Sequence, residues 1–231
     1  IPALPRQIMD YLMELDDRAK VNQTVLLTGI PTQDARQRRY YNSILALGEA
    51  RGQYDKTRLV PFGEYVPLES MLRGLNSFFD LPMSSFSLGA SNQSLLTAKG
   101  EPIATAICYE IAYPNLVASS AADATMILTV SNDAWFGRSI APQQHMQMAR
   151  MRASENAKPL MRGTNNGLTA LVDHRGVIVQ QLQQFREAEL SGTIEPRTGR
   201  TLFSHVGSWP IVLLSLLICL VLILSRRRKK N

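Results

Sequence analysis

Cysteine is scarce in this sequence. Cys108 and Cys219 are the only two among 231 residues. Cys219 lies in an apolar segment near the C-terminus, so the pair does not read as a disulfide, and a disulfide scaffold is excluded. Two cysteines do not fix the redox compartment. Histidine is almost as rare, with His145, His174 and His205 only. No group of His, Cys and carboxylates has metal-ligand spacing, so no metal is expected. No glycine-rich phosphate loop, internal repeat or low-complexity tract occurs, and nothing calls for a cofactor. Charge of one sign is also lacking in the body of the chain. The net charge is +6, but five of the 25 basic residues form the terminal run Arg226 to Lys230. The other 20 face 19 acidic residues. A nucleic-acid partner is therefore not expected.

What is present is 45% hydrophobic and 19% charged sequence, enough for one large globular domain. Its longest apolar run is near the end. From Trp209 to Leu224 there is no charge at all. A helix over 206–225 would span about 30 Å, the thickness of a bilayer core. Trp209 suits one interface and the arginines the other. A buried core helix is the alternative, but no polar face marks one. The positive-inside rule puts 226–231 in the cytoplasm and residues 1–205 across the membrane.

Ahead of that segment, strands alternate with a few helices. Ile8, Tyr11, Leu12 and Leu15 have helical spacing. Thr24 to Ile30 reads as a strand stopped by Pro31, and Tyr40 to Leu47 as the next. "TRLV" reads as a short strand entering a Pro/Gly turn. A hairpin through Lys99-Gly100 leads to Cys108. A helix over Tyr113 to Ala121, the strand "ATMILTVSN", a helix closed by Pro159 and a hairpin through Arg175-Gly176 follow. An α/β sandwich is the economical architecture. Met71 to Asn92 is apolar without periodicity, as in a loop folded on the core or a lid over a lipid-handling site.

Cys108 ends the apolar run Ile103 to Ile107 and is followed by Tyr109 and Glu110. It is either core filler or a nucleophile delivered by a strand. A nucleophile needs a thiolate, hence a nearby positive group or base. It also needs oxyanion donors, of which the N–H of Tyr109 is a natural one. His174 and His205 do not read as bases; His145, opening a helix, is possible. Lys56 and Glu64 flank the "TRLVPFG" stretch. Each alone would pass for a surface charge.

Taken together and in order, "KTRLVPFGEYVPLE", "AICYE" and "SNDAWFG" resemble the nitrilase superfamily. With "FFDLPMSSFS", "HMQMARMRA" and "TNNG" they look like its apolipoprotein N-acyltransferase family. The resemblance implies a nitrilase-like α-β-β-α sandwich over 1–205, a transmembrane helix over 206–225 and a basic tail over 226–231. It implies Cys108 as nucleophile, Lys56 as the triad lysine and Glu64 as a carboxylate orienting that lysine, with Tyr109 and Glu110 supporting. Trp135, Phe136, Phe78, Phe79 and Phe86 are candidates for the acyl channel or lid. Trp135 and Phe136 have core packing as their plain alternative.

The implied reaction is ping-pong acyl transfer. Cys108 takes the sn-1 acyl chain of a phospholipid, with phosphatidylethanolamine the expected donor. The thioester then passes the chain to the N-terminal amine of a diacylglyceryl-cysteine apolipoprotein. The expected location is the bacterial inner membrane with a periplasmic body. The family's general-base glutamate lies in a Trp-Pro-Glu-Ser type motif that no residue here matches, and Glu14 is no substitute. These 231 residues alone are thus expected to be inactive and to belong to a longer protein. A membrane-tethered amidase and a catalytically dead binding module are the rival readings.

Overall fold

The computed structural model describes residues 8–34, 36, 39–65 and 86–228. The chain opens with helix α1 (Met9–Val21), then strands β1 (Val25–Asp34), β2 (Arg39–Gly48), β3 (Ala50–Arg51) and β4 (Gln53–Asp55). After 86 come β5 (Leu96–Ala98) and β6 (Glu101–Ile107), which ends in a 3-10 turn over Cys108–Ala112. Helix α2 (Pro114–Ala121), β7 (Met126–Ser131) and a 3-10 turn at Asp133–Phe136 follow. The body is completed by α3 (Ala141–Asn156), β8 (Leu160–Thr164), β9 (Ala170–Val172), β10 (Ile178–Gln181) and the short α4 (Leu202–Val206). Last is α5 (Trp209–Arg228).

Two sheets form the middle layers. One has the order β1-β2-β4, the other β10-β9-β8-β7-β6-β5-β3. Strands β6, β7 and β8 are parallel neighbours, with Ile107 beside Val130 and Ser131 beside Thr164. Their carboxyl ends therefore open on one edge. Being covered on both faces, β6 is buried continuously from Ile103 to Ile107 rather than on alternate residues. Ile103 and Ile107 pack toward Ile44 and Tyr54 of the small sheet, while Ala104 and Ala106 pack toward α2 and α3. Helix α3 turns Pro142, His145, Met146, Ala149, Arg152, Ala153 and Asn156 inward, a spacing of three and four that keeps one face down. On the other side α1 buries Leu12 and Ala19 while Tyr11 stays exposed. The result is the four-layered α-β-β-α arrangement.

Two expected strands differ. β1 does not stop at Pro31; it continues to Asp34, with Pro31 opposite Asn42. β1 is an edge strand, so an imide nitrogen costs nothing where the N–H would point outward. "TRLV" is not a strand. Its amides are taken by carboxylates instead: Thr57 and Arg58 donate to Glu110 and Val60 donates to Glu64. The Lys99-Gly100 hairpin is as expected. Both residues have positive φ, +50° and +86°, as a tight two-residue turn requires.

The segment before α5 is pinned to the body. Arg197 donates its N–H to Thr125 and accepts from buried Lys158 Nζ. Thr201 bonds the carbonyl of Glu155, and Ser208 N–H bonds Asn115 at the start of α2. Helix α5 itself buries none of its side chains from Trp209 to Leu224. Its 20 residues are long and apolar enough to cross a membrane.

Candidate active site

Cys108 stands where β6 turns into its 3-10 turn. Its φ is +51°, a left-handed conformation that a non-glycine residue adopts only at some cost. That kink takes the residue out of the strand to the opening at the carboxyl ends of β6, β7 and β8. The neighbouring strand ends supply Asn132, Asp133, Thr164 and Asn165. Cys108 lines a cavity of about 530 Å³ together with Val60, Tyr109, Trp135, Phe136 and Met148. The lining is largely apolar, with Asn42, Glu64, Asn132, Gln144 and His145 as its polar members.

Lys56 follows β4 in the other sheet and is wholly buried. Its Nζ donates to Glu64 Oε1 at 2.7 Å. Glu64 lies in the turn after Val60 and is held at both oxygens: Asn42 Nδ2 donates to Oε1 at 2.6 Å and Val60 N–H to Oε2 at 2.8 Å. The lysine is thus a buried cation with a fixed counter-ion. Such a group supplies a positive field to a thiolate without wandering.

Glu110 is wholly buried, and among the described residues it has no cationic partner in an ion pair. Its Oε1 accepts from Thr57 N at 2.7 Å, Thr57 Oγ1 at 2.8 Å and Arg58 N at 3.0 Å. Its Oε2 accepts from Ile107 N at 2.8 Å. Tyr54 Oη lies 3.0 and 3.1 Å from the two oxygens. Burial and the Glu110 charge push the Tyr54 phenol far above its ordinary range, so it remains a donor. The carboxylate ties the residues after Lys56 to the residue before Cys108.

A third cluster was not legible in the sequence. Asp133, His145 and Arg162 come from three elements and meet in the interior. Arg162 Nη2 donates to Asp133 Oδ2 at 2.8 Å and lies 3.0 Å from His145 Nδ1. Ser131 Oγ donates to Asp133 Oδ1 at 2.5 Å. His145 Nε2 is 3.0 Å from the carbonyl oxygen of Cys108. A general base would need to meet the thiol, whereas His145 meets the backbone. The packing is close: a Cβ on Gly167 would fall 2.0 Å from Asp133 Oδ2. Burial pulls the Arg162 guanidinium below its ordinary value, against the opposing pull of Asp133. The signal in the sequence was a lone arginine in the strand "LMRGT".

Burial pushes the Asp133 carboxyl up, but hydrogen bonds from His145 and Ser131 and the charge of Arg162 outweigh it and hold it below the usual range. Such a carboxyl stabilises the fold above its unfolded value, about 3.9, and the contribution is lost as pH falls toward the lower folded value. The thermal midpoint should therefore fall between about pH 5 and pH 3 in the wild type. Asp133→Asn should lower the midpoint at pH 7 and flatten that acid limb. A limb of unchanged steepness in the variant would assign it to other carboxylates.

Of the other expected residues, Trp135 is 63% exposed at the cavity rather than in the core. Phe136 lines the cavity with its ring 5.9 Å from that of His145. Tyr109 also lines the cavity and stacks edge-on with Tyr113 at 5.1 Å. Phe86 bridges to Tyr40 and is not among the cavity residues. Phe78 and Phe79, with most of the expected lid, lie outside the described residues. Among the described residues no group of three or more His, Cys, Asp and Glu could hold a metal ion.

Comparison with known proteins agrees with this fold. The carbon-nitrogen hydrolase family profile matches residues 9–202. The chain is 47% identical over 233 residues to the apolipoprotein N-acyltransferase of Azotobacter vinelandii, covering 100% of this chain and 45% of that protein. It is 47% identical over 241 residues to the enzyme of that name from Vibrio vulnificus, covering 100% and 47%. It thus spans about half the length of the curated relatives it matches. Two solved structures share the fold at low identity. Saccharomyces cerevisiae Nit3, a member of branch 10 of the nitrilase superfamily, superposes with a TM-score of 0.58 at 20% identity, over 76% of this chain and 62% of that one. The C. elegans NitFhit protein gives 0.58 at 15%, over 75% and 43%.

Proposed function

From the premise that this chain belongs to the carbon-nitrogen hydrolase family, we propose that it is the acyl-transferring part of an apolipoprotein N-acyltransferase. The observation that carries this reading is the setting of Cys108. A cysteine on a strained kink opens into an apolar cavity, in a body that also carries an exposed apolar helix. A small amide needs no such lining; a fatty acyl chain does.

The Cys108 thiolate attacks the sn-1 ester carbonyl of a phospholipid, with phosphatidylethanolamine the expected donor. The new C–S bond forms as the ester C–O bond breaks, and the lysophospholipid leaves as an alcohol. Its proton comes from the general acid-base, assigned by the resemblance to a glutamate that no residue of this sequence matches. The α-amine of a diacylglyceryl-cysteine then attacks the thioester. An amide forms, its proton returns to the same relay, and the thiolate is restored. Lys56 and the Tyr109 N–H stabilise the oxyanion in both steps. Tyr109, Trp135 and Phe136 supply the apolar wall that keeps water from the thioester. Residues 1–205 are the periplasmic body in this reading. Residues 206–225 span the bacterial inner membrane, and 226–231 form the cytoplasmic tail.

The test is mass spectrometry of the full-length protein purified from its membranes. The Cys108 peptide should carry an acyl mass that neutral hydroxylamine removes and that Cys108→Ala lacks. Phospholipid supplied without acceptor and leaving Cys108 bare would overturn the reading.

A further inference from the structure

The cluster of His145, Asp133 and Arg162 takes no part in the scheme above, yet it touches the nucleophile's own peptide group. A carbonyl oxygen can only accept, so the 3.0 Å contact between His145 Nε2 and Cys108 O requires the proton on Nε2. The other ring nitrogen, Nδ1, lies between Arg162 Nη2 at 3.0 Å, which can only donate, and Asp133 Oδ1 at 3.3 Å, which can only accept, so both neighbours hold the ring in place. Arg162 is in turn fixed by Asp133 Oδ2 at 2.8 Å and by the Leu168 carbonyl at 3.2 Å. Asp133 is fixed by Ser131 Oγ and, through its own N–H, by Asn165 Oδ1 at 3.1 Å. A continuous path of hydrogen bonds thus runs from the β7 and β8 strand ends to the imidazole, and all three side chains are buried.

What the last bond holds is a peptide plane. The carbonyl of Cys108 and the N–H of Tyr109 belong to one planar trans unit, and they point in opposite directions. Grasping the oxygen therefore aims the N–H. Tyr109 is the second residue of its 3-10 turn, so its N–H has no partner within that turn. At Cys108 the backbone is in the left-handed region, from which an unrestrained peptide unit would relax.

We infer that His145 is a positioning residue for the oxyanion site, holding the Cys108–Tyr109 peptide so that the Tyr109 N–H meets the tetrahedral intermediate. Asp133 and Arg162 fix the ring orientation that makes this possible. The inference rests on the acyl-transfer reading above for its natural substrate, but not for its chemistry, since any ester passes through such an oxyanion.

The experiment uses the full-length, detergent-purified protein with two acyl donors, phosphatidylethanolamine in mixed micelles and p-nitrophenyl butyrate. His145→Leu removes the donor at similar volume; His145→Gln keeps an N–H at comparable reach. His145→Leu is expected to lower kcat for Cys108 acylation about 10²-fold or more with both donors, the cost of losing an oxyanion donor, with KM changed by less than about twofold. His145→Gln should recover at least about tenfold of that loss. Alkylation of Cys108 by iodoacetamide forms no oxyanion and should change by less than about threefold in either variant.

The inference is overturned if His145→Leu acylates within about threefold of wild type. It is also overturned if glutamine does no better than leucine, or if alkylation falls in parallel with acylation, which would mean that the thiol itself had moved. Wild type that accepts the nitrophenyl ester but not the phospholipid would sink the proposed donor and leave the role of His145 to be read on the ester. Wild type inert to both would overturn the two together.

Discussion

Lys56→Met is expected to lower Cys108 acylation by about 10³-fold, in line with the loss of a preorganised oxyanion and thiolate stabiliser. Lys56 Nζ is wholly buried and Glu64 Oε1 is its counter-ion at 2.7 Å. Methionine fills the volume but, among the described residues, leaves the Glu64 carboxylate with Asn42 Nδ2 and the Val60 N–H. Removing one partner of a buried pair costs about 3–5 kcal/mol; the partial exposure of Glu64 moves the expectation to about 2–3 kcal/mol. Adding Glu64→Gln should restore most of the stability and none of the rate. Thermal unfolding and single-turnover acylation of the two variants separate these effects. A Lys56→Met protein that acylates within about tenfold of wild type would remove the lysine from the chemistry.

Glu110→Ala should be the most destabilising single change at the site. It strands the N–H groups of Thr57, Arg58 and Ile107 together. A buried donor left unsatisfied costs about 1–3 kcal/mol, so the total is expected above about 3 kcal/mol. For a domain of this size that lowers the thermal midpoint by about 6–12 °C. Glu110→Gln is the sharper probe. At either oxygen position the amide NH₂ would face a backbone N–H, and two donors cannot bond. It should cost about 2 kcal/mol even though its shape is preserved. Tyr54→Phe removes a neutral donor and should cost about 1 kcal/mol. A glutamine variant as stable as wild type would mean that the carboxylate does not join these segments. Both Glu110 variants should also slow acylation, because the lysine and the nucleophile lose their common support.

How much of this could be read in advance follows the range of the interactions. The strand ending at Cys108 was visible because β6 is buried on both faces and reads as the apolar run Ile103 to Ile107. Helix α1 was visible from the spacing of its apolar residues, α3 as a segment closed by Pro159, and α5 from its length without charge. "TRLV" misled because Leu59 and Val60 look like strand residues. Its amides were already claimed by carboxylates, one of them more than 50 positions away. The same limit hid Asp133, His145 and Arg162. Each alone is an ordinary polar residue, and their shared burial exists only once β7, α3 and β8 are side by side. Lys56 and Glu64 could be singled out only through the resemblance of the motifs around them, since nothing in their local sequence marks a buried pair.

The bonds around Glu64 and Phe86 have a consequence for how this site can change. Phe86 N–H donates to Glu64 O, Ser87 N–H to Tyr40 O and Gly89 N–H to Lys56 O. The chain therefore leaves the site and re-enters it at a stapled pair of stems. The separation of lysine and nucleophile is set elsewhere, through Glu110. The stem bonds and the Glu110 bonds share no hydrogen-bonding group, so strain introduced at one set need not pass through the other. The site is braced twice, once where Glu64 meets Phe86 and Lys56 meets Gly89, and once for the spacing of Lys56 and Cys108.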